Sequence, residues 1–164
     1  MRLVRSIVSL MAVSTVAGAD DCRLLATSGD FEHGAGEWQF DGRIVPDPRK
    51  PANHVLALRG EVASASAPLT IPESVDAVQV RFRVLAPTSL KLRFDSKLVL
   101  RVRIYSEKGN SRFDELEITP SDHWQTISVR FSPVSEFRHH VLVEALNADG
   151  PFYLDDFCVT AIGA

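Results

Sequence analysis

Nine basic residues crowd between positions 81 and 112: Arg81, Arg83, Lys91, Arg93, Lys97, Arg101, Arg103, Lys108 and Arg112, opposed only by Asp95 and Glu107. Arginine's planar fork grips carboxylate and sulfate through two hydrogen bonds at once, so such a concentration is suited to anion recognition. Tyr105 lies in the same stretch and offers a ring face for stacking. Carboxylates gather elsewhere. "SGDFEHGAGEW", Ser28 to Trp38, sets Asp30 and Glu32 on either side of Phe31, and "FYLDDFCVT" near the end holds Asp155 and Asp156. Signatures of a catalytic centre are missing: there is no GxSxG, no phosphate-cradling glycine loop and no HExxH. His139 and His140 are adjacent, so on a strand they point to opposite faces and do not share a metal. Asp114, Glu115 and Glu117 read as a solvated strand edge rather than a glycosidase pair. The expectation is a protein that is not an enzyme.

The elements that must position these residues are strands. In "VDAVQVRFRV" the apolar set Val78, Val80, Phe82 and Val84 alternates with Gln79, Arg81 and Arg83. "LKLRF", "LVLRVRIY" and "WQTISVRF" repeat the alternation. Period two with one polar face means antiparallel strands half exposed to water. Further strands are expected at 23–27, 37–41, 54–59, 62–70, 113–119, 138–147 and 152–160, with prolines and Gly109-Asn110 punctuating the gaps. No window shows a helical stripe. About eight to ten short strands at regular spacing predict an all-β antiparallel sandwich of the jelly-roll kind. By alternation Arg81, Arg83, Lys91, Arg93, Arg101 and Arg103 all point outward. If their strands share a sheet they make one basic face with Tyr105 on it, and an acidic polysaccharide becomes the expected ligand. The alternative is a solvated face, offset by acids such as Glu117 and Glu144 or split between two sheets.

The start of the chain reads as a signal peptide over residues 1–19. Arg2 and Arg5 precede the apolar run Ile7 to Val16, and Ala17-Gly18-Ala19 offers a cleavage site. The run is too short to span a bilayer, and no later stretch is apolar enough to do so. Removing Arg2 and Arg5 with the leader takes the formal charge from −3 to −5, which argues against nucleic acid as a partner. Residues 20–164 suit one domain exported to the periplasm or secreted. An exported chain with two cysteines, Cys22 and Cys158, is expected to pair them; two buried free thiols are the alternative.

"LLATSGDFEHGAGEW" resembles the opening of galactose-binding-like jelly rolls, notably the carbohydrate-binding modules of bacterial xylanases and β-glucanases. "FYLDDFCVT" is similar to their closing strand, and "DHWQTISVRF" to a late strand preceded by tryptophan. The three come in the order the modules have them. The resemblance implies neighbouring first and last strands with a structural calcium ion at their seam. Calcium takes six to eight oxygen ligands. Carried over by position, those ligands are Glu32 and Asp155, then Asp30, then Asp47 from the loop "PDPRKPAN", with Asp156 able to replace Asp155 if a bulge intervenes. Trp38 and Trp124 match core positions of such modules. Tyr105 and Tyr153 are left as sugar-stacking candidates, followed by Phe113 and Phe137. The implied function is a non-catalytic module binding a polysaccharide or cell-surface glycan. The alternative is a structural or adhesion protein of the cell surface on the same scaffold.

Overall fold

The computed structural model describes residues 22–60, 62–72, 75–132 and 138–163; the expected leader, 1–19, and Phe137 lie outside the described residues. The described chain is all strand and loop. In order the strands are β1 (Gln39–Phe40), β2 (Gly42–Pro46), β3 (His54–Leu58), β4 (Ser64–Thr70), β5 (Ala77–Leu85), β6 (Leu98–Ser106), β7 (Ser111–Ile118), β8 (Gln125–Phe131), β9 (Arg138–Ala145) and β10 (Phe152–Ile162). They form two five-stranded antiparallel sheets. Sheet one runs β1-β4-β9-β6-β7 and sheet two runs β2-β3-β10-β5-β8. This is the antiparallel jelly-roll sandwich that the alternation called for.

Alternation decides which residues meet between the sheets. From β5 come Val78, Val80, Phe82 and Val84; from β6 Leu98, Leu100, Val102 and Ile104; from β9 Val141 and Val143; from β10 Phe152, Leu154, Phe157 and Val159. Phe31, the hydrophobe bracketed by Asp30 and Glu32, is buried in the same core at 1% exposure. Its ring lies 5.5 Å from Trp38, and Trp38 lies 4.6 Å from Phe157, which stacks on Phe82. Burying these rings removes several hundred Å² of apolar surface from water and anchors the opening segment by several kcal/mol on the usual area scale.

The first and last described segments meet, but not as paired strands. Leu25 bridges Leu69 of β4, so the expected strand 23–27 reduces to a short contact on sheet one. The closing strand, β10, lies in the middle of sheet two. Cys22 and Cys158 form a disulfide, with Cα atoms 4.8 Å apart and 136 residues of separation. β10 pairs with β3 only over Phe152–Leu154. Beyond that the Phe157 N–H donates to the Gly29 carbonyl at 3.0 Å. A Cβ on Gly29 would overlap the Phe157 carbonyl oxygen, so only glycine admits this approach. The β10–β5 register slips between Asp155 and Cys158, with Asp156 at φ 51°. The bulge adds one residue, so Phe157 reaches the core although Asp155 faces out.

Two further expectations are corrected. "LKLRF" is a loop whose only ladder contact is the bridge Leu92–Ala148. The loop is held by Asn147, wholly buried, which donates to Phe94 O at 2.7 Å and Lys97 O at 2.8 Å and accepts from Val99 N at 2.9 Å. Strand β2 was not expected; Pro46 at its end had the look of a break, and an edge strand tolerates it there.

Candidate functional site

The four proposed metal ligands are distributed around one corner rather than gathered. Asp30 serves its own turn: Oδ1 accepts from Ser28 Oγ at 2.8 Å and from Glu32 N at 3.2 Å. Glu32 faces the start of β3. Its Oε1 accepts from His54 N at 2.6 Å, and Oε2 lies 3.3 Å from His54 Nδ1. That backbone N–H is the main reason its carboxyl titrates below the usual glutamate range. Asp47 accepts from Arg49 N at 2.8 Å and from Trp124 Nε1 at 3.2 Å.

Asp155 lies on the outer face of sheet two yet is only 1% exposed, because loop 47–53 covers it. Its Oδ2 accepts from Asn53 Nδ2 at 3.0 Å and Arg83 Nη2 at 2.9 Å, while Oδ1 is buried with no hydrogen-bond partner. Burial is the largest influence and pushes its pKa up to about 6, despite the Asn53 and Arg83 hydrogen bonds. Arg83 Nε sits 2.7 Å from Asp156 Oδ2, off the line of its N–H, so that contact is charge pairing without a hydrogen bond. Asn53 and His54 are consecutive, so Asp155 and Glu32 flank one corner at the start of β3. Among the described residues no three His, Cys, Asp or Glu side chains converge as a metal site. The fit to calcium is therefore confined to the Glu32–Asp155 corner, where Asp155 Oδ1 lacks a donor.

The arginines do not form one face. Arg81 and Arg83 belong to β5 in sheet two, whereas Arg101, Arg103 and Tyr105 belong to β6 in sheet one. Arg93 sits in the loop between, with its Nη2 3.4 Å from Leu146 O. Acids meet several of them. Arg101 donates to Glu115 at 2.6 Å and to Glu144 at 3.4 Å, and the Glu115 bond raises its pKa. Lys97 pairs with Glu117 at 3.0 Å.

What sheet one does present is an amphipathic platform. The registers place Ser111, Tyr105, His140 and Pro68 in one row across β7-β6-β9-β4. The next row is Phe113, Arg103, Leu142, Ser66 and Gln39, and the third is Glu115, Arg101, Glu144 and Ser64. Tyr105 and His140 stack with centroids 5.2 Å apart and planes 14° from parallel. Arg101 and Arg103 lie over the Phe113 ring at 5.2 and 5.9 Å. Beside His140 a groove of about 320 Å³ is lined by Glu37, Gln39, Ser66 and Pro68. His140 Nδ1 and Arg103 Nε have no hydrogen-bond partner among the described residues. The stacked Tyr105 and His140 rings beside this groove suit a ligand with apolar ring faces and many hydroxyls. Alternation put His139 and His140 on opposite faces, but the partnership of His140 with Tyr105 depends on strand pairing, which residue spacing does not reveal.

No protein-family model matches the sequence, and no curated protein matches it. Solved structures do. A TmCBM61 module in complex with β-1,4-galactotriose aligns with a TM-score of 0.61 and 18% identity, over 85% of this chain and 99% of that one. The CBM22-1 xylan-binding domain of Paenibacillus barcinonensis Xyn10C aligns with a TM-score of 0.64 and 15% identity, over 85% and 96%. A family 16 carbohydrate-binding module aligns at 0.61 and 14%, over 83% and 99%. At these identities the likeness concerns the fold, and the chain has the jelly-roll fold of carbohydrate-binding modules.

Proposed function

We propose that the chain is an exported, non-catalytic module that holds a polysaccharide across the outer face of sheet one. The observation that carries this reading is the Tyr105–His140 stack beside the Gln39–Ser66–Pro68 groove. Similar structures carry galactotriose or are named for xylan, which makes a pyranose chain the natural class of ligand. Arg103, a third exposed on that face and no nearer than 4.0 Å to Glu144, favours an acidic over a neutral chain. The Cys22–Cys158 disulfide supports export, since such bonds persist in oxidising compartments. A structural calcium ion between Glu32 and Asp155 belongs to the same proposal. Its support is the donorless Asp155 Oδ1, which a hard cation would satisfy.

A glycan array read at low and moderate salt tests the reading. Binding to acidic polysaccharides that weakens with salt is expected, with about tenfold loss in Tyr105→Ala. Retention of full affinity by that variant would remove the face from consideration. The second reading, a cell-surface structural or adhesion protein, is favoured by Phe113, which is 57% exposed on edge strand β7. Silence on the array together with self-association in sedimentation would select it.

A further inference from the structure

The outer face of sheet two carries a cleft of about 690 Å³, lined by residues that include Gly42, Arg43, Ala57, Arg59, Pro151 and Tyr153. That volume is typical of sites for small ligands. Its floor follows from register. Arg43 of β2 pairs with Ala57 of β3, and Ala57 pairs with Tyr153 of β10, so one row crosses three strands with the smallest side chain in the middle. At the usual strand spacing, Arg43 and Tyr153 stand about 10 Å apart, the width of one or two sugar rings. Arg59 lies two residues beyond Ala57, diagonal to Arg43 on the same face.

Charge in the cleft is one-sided. Neither Arg43 nor Arg59 makes a side-chain ion pair or hydrogen bond among the described residues, and no acid lines the cleft. The acids nearby are committed elsewhere. Asp41 accepts from Ser64 N and Oγ, Asp47 from Trp124, and Asp155 from Asn53 and Arg83. Two like charges set diagonally on one face repel, and no ion pair among the described residues offsets them. An anion between them would. The Tyr153 ring, with no aromatic partner among the described residues, provides a flat surface at the far side.

We propose that this cleft is a second ligand site, specific for a pyranose bearing a carboxylate or a sulfate, with the anion held by Arg43 and Arg59 and the ring lying on Tyr153. The ligand class is that of the functional reading, but the residues and the sheet are different, so the two stand or fall separately. The test is calorimetric titration of the Tyr105→Ala protein, in which the platform of sheet one is silenced. The probes are trigalacturonate, a sulfated galactan oligosaccharide and neutral galactotriose. Binding of one or both anionic probes and none of the neutral one is expected; which of them binds tells carboxylate from sulfate. Adding Arg43→Gln with Arg59→Gln should weaken that binding by about tenfold or more, and Tyr153→Ala should weaken it comparably. Unchanged melting curves for the arginine variants would establish that the loss is of ligand, since both side chains are exposed. The inference is overturned if neither anionic probe binds, if galactotriose binds equally, or if the double arginine variant keeps its affinity. Acidic-sugar binding by the wild type that Tyr105→Ala abolishes outright would overturn it too, while leaving the platform on sheet one intact.

Discussion

Asp155 should make the protein lose stability as the pH rises from about 4 to about 6. Its carboxyl has an ordinary pKa of 3.8 when unfolded and about 6 when folded, because burial opposes the charge more than Asn53 and Arg83 favour it. The folded state therefore holds a proton that the unfolded chain releases. The stabilisation from this group is complete below about pH 4 and is lost as pH rises through about 6. The difference corresponds to at most about 3 kcal/mol. For a domain of this size that is on the order of 10 °C in melting temperature. Two other acids act in a separate window. Asp122 and Glu32 have lowered pKa values, chiefly from the Thr88 and His54 backbone N–H groups, and their contributions are lost only as pH falls below the ordinary carboxylate range. Thermal melts from pH 4 to 8 in EDTA, read by circular dichroism, should decline for the wild type from about pH 4 to about 6 and level off above. Asp155→Asn, which keeps the shape and removes the titration, should flatten the decline. Parallel curves for the two would refute the reasoning.

Calcium added at pH 7 should raise the wild-type melting temperature and leave Asp155→Asn unmoved, since a cation bound only to the folded state stabilises it by an amount that grows with the logarithm of its concentration above Kd; equal melts in calcium and EDTA would count against an ion at that corner. Reduction, or Cys22→Ser with Cys158→Ser, should cost up to about 5 kcal/mol on the chain-entropy view of a loop closing 136 residues, measured by urea unfolding. Asn147→Ala should cost about 3 kcal/mol or more, because Phe94 O, Lys97 O and Val99 N lose their partner together. A loss below 1 kcal/mol in the same assay would mean that water replaces the amide.

The strands that carry the core were legible because alternation is a local property. Val78 to Val84 and Leu98 to Ile104 declare their inner faces without reference to any partner. The disulfide was legible from the number and placement of the cysteines. Which sheet a strand joins is not local, and there the reading of the arginines stopped. Residues 86–97 carry the chain from sheet two to sheet one, parting Arg83 from Arg101 although both point outward. The Tyr105–His140 pair and the Arg43–Ala57–Tyr153 row are likewise products of register between strands distant in sequence. "LKLRF" misled because period two also arises when a loop lays alternate leucines on a core. The buried Asn147 that holds this loop is 50 residues away from Lys97.

The link between Cys22 and Cys158 also governs how the molecule bears load. Tension applied through residues before Cys22 and after Ile162 loads the four β10–β5 pairs from Val159 to Ile162, then travels through one sulfur bridge and bypasses the other ladders of the sandwich. With the bridge intact the intervening chain cannot lengthen under such a pull; with it cut, up to about 450 Å of backbone becomes available to extend. Tethered at both ends, the domain behaves as a shackle: its two faces keep their shape while the strain runs past them.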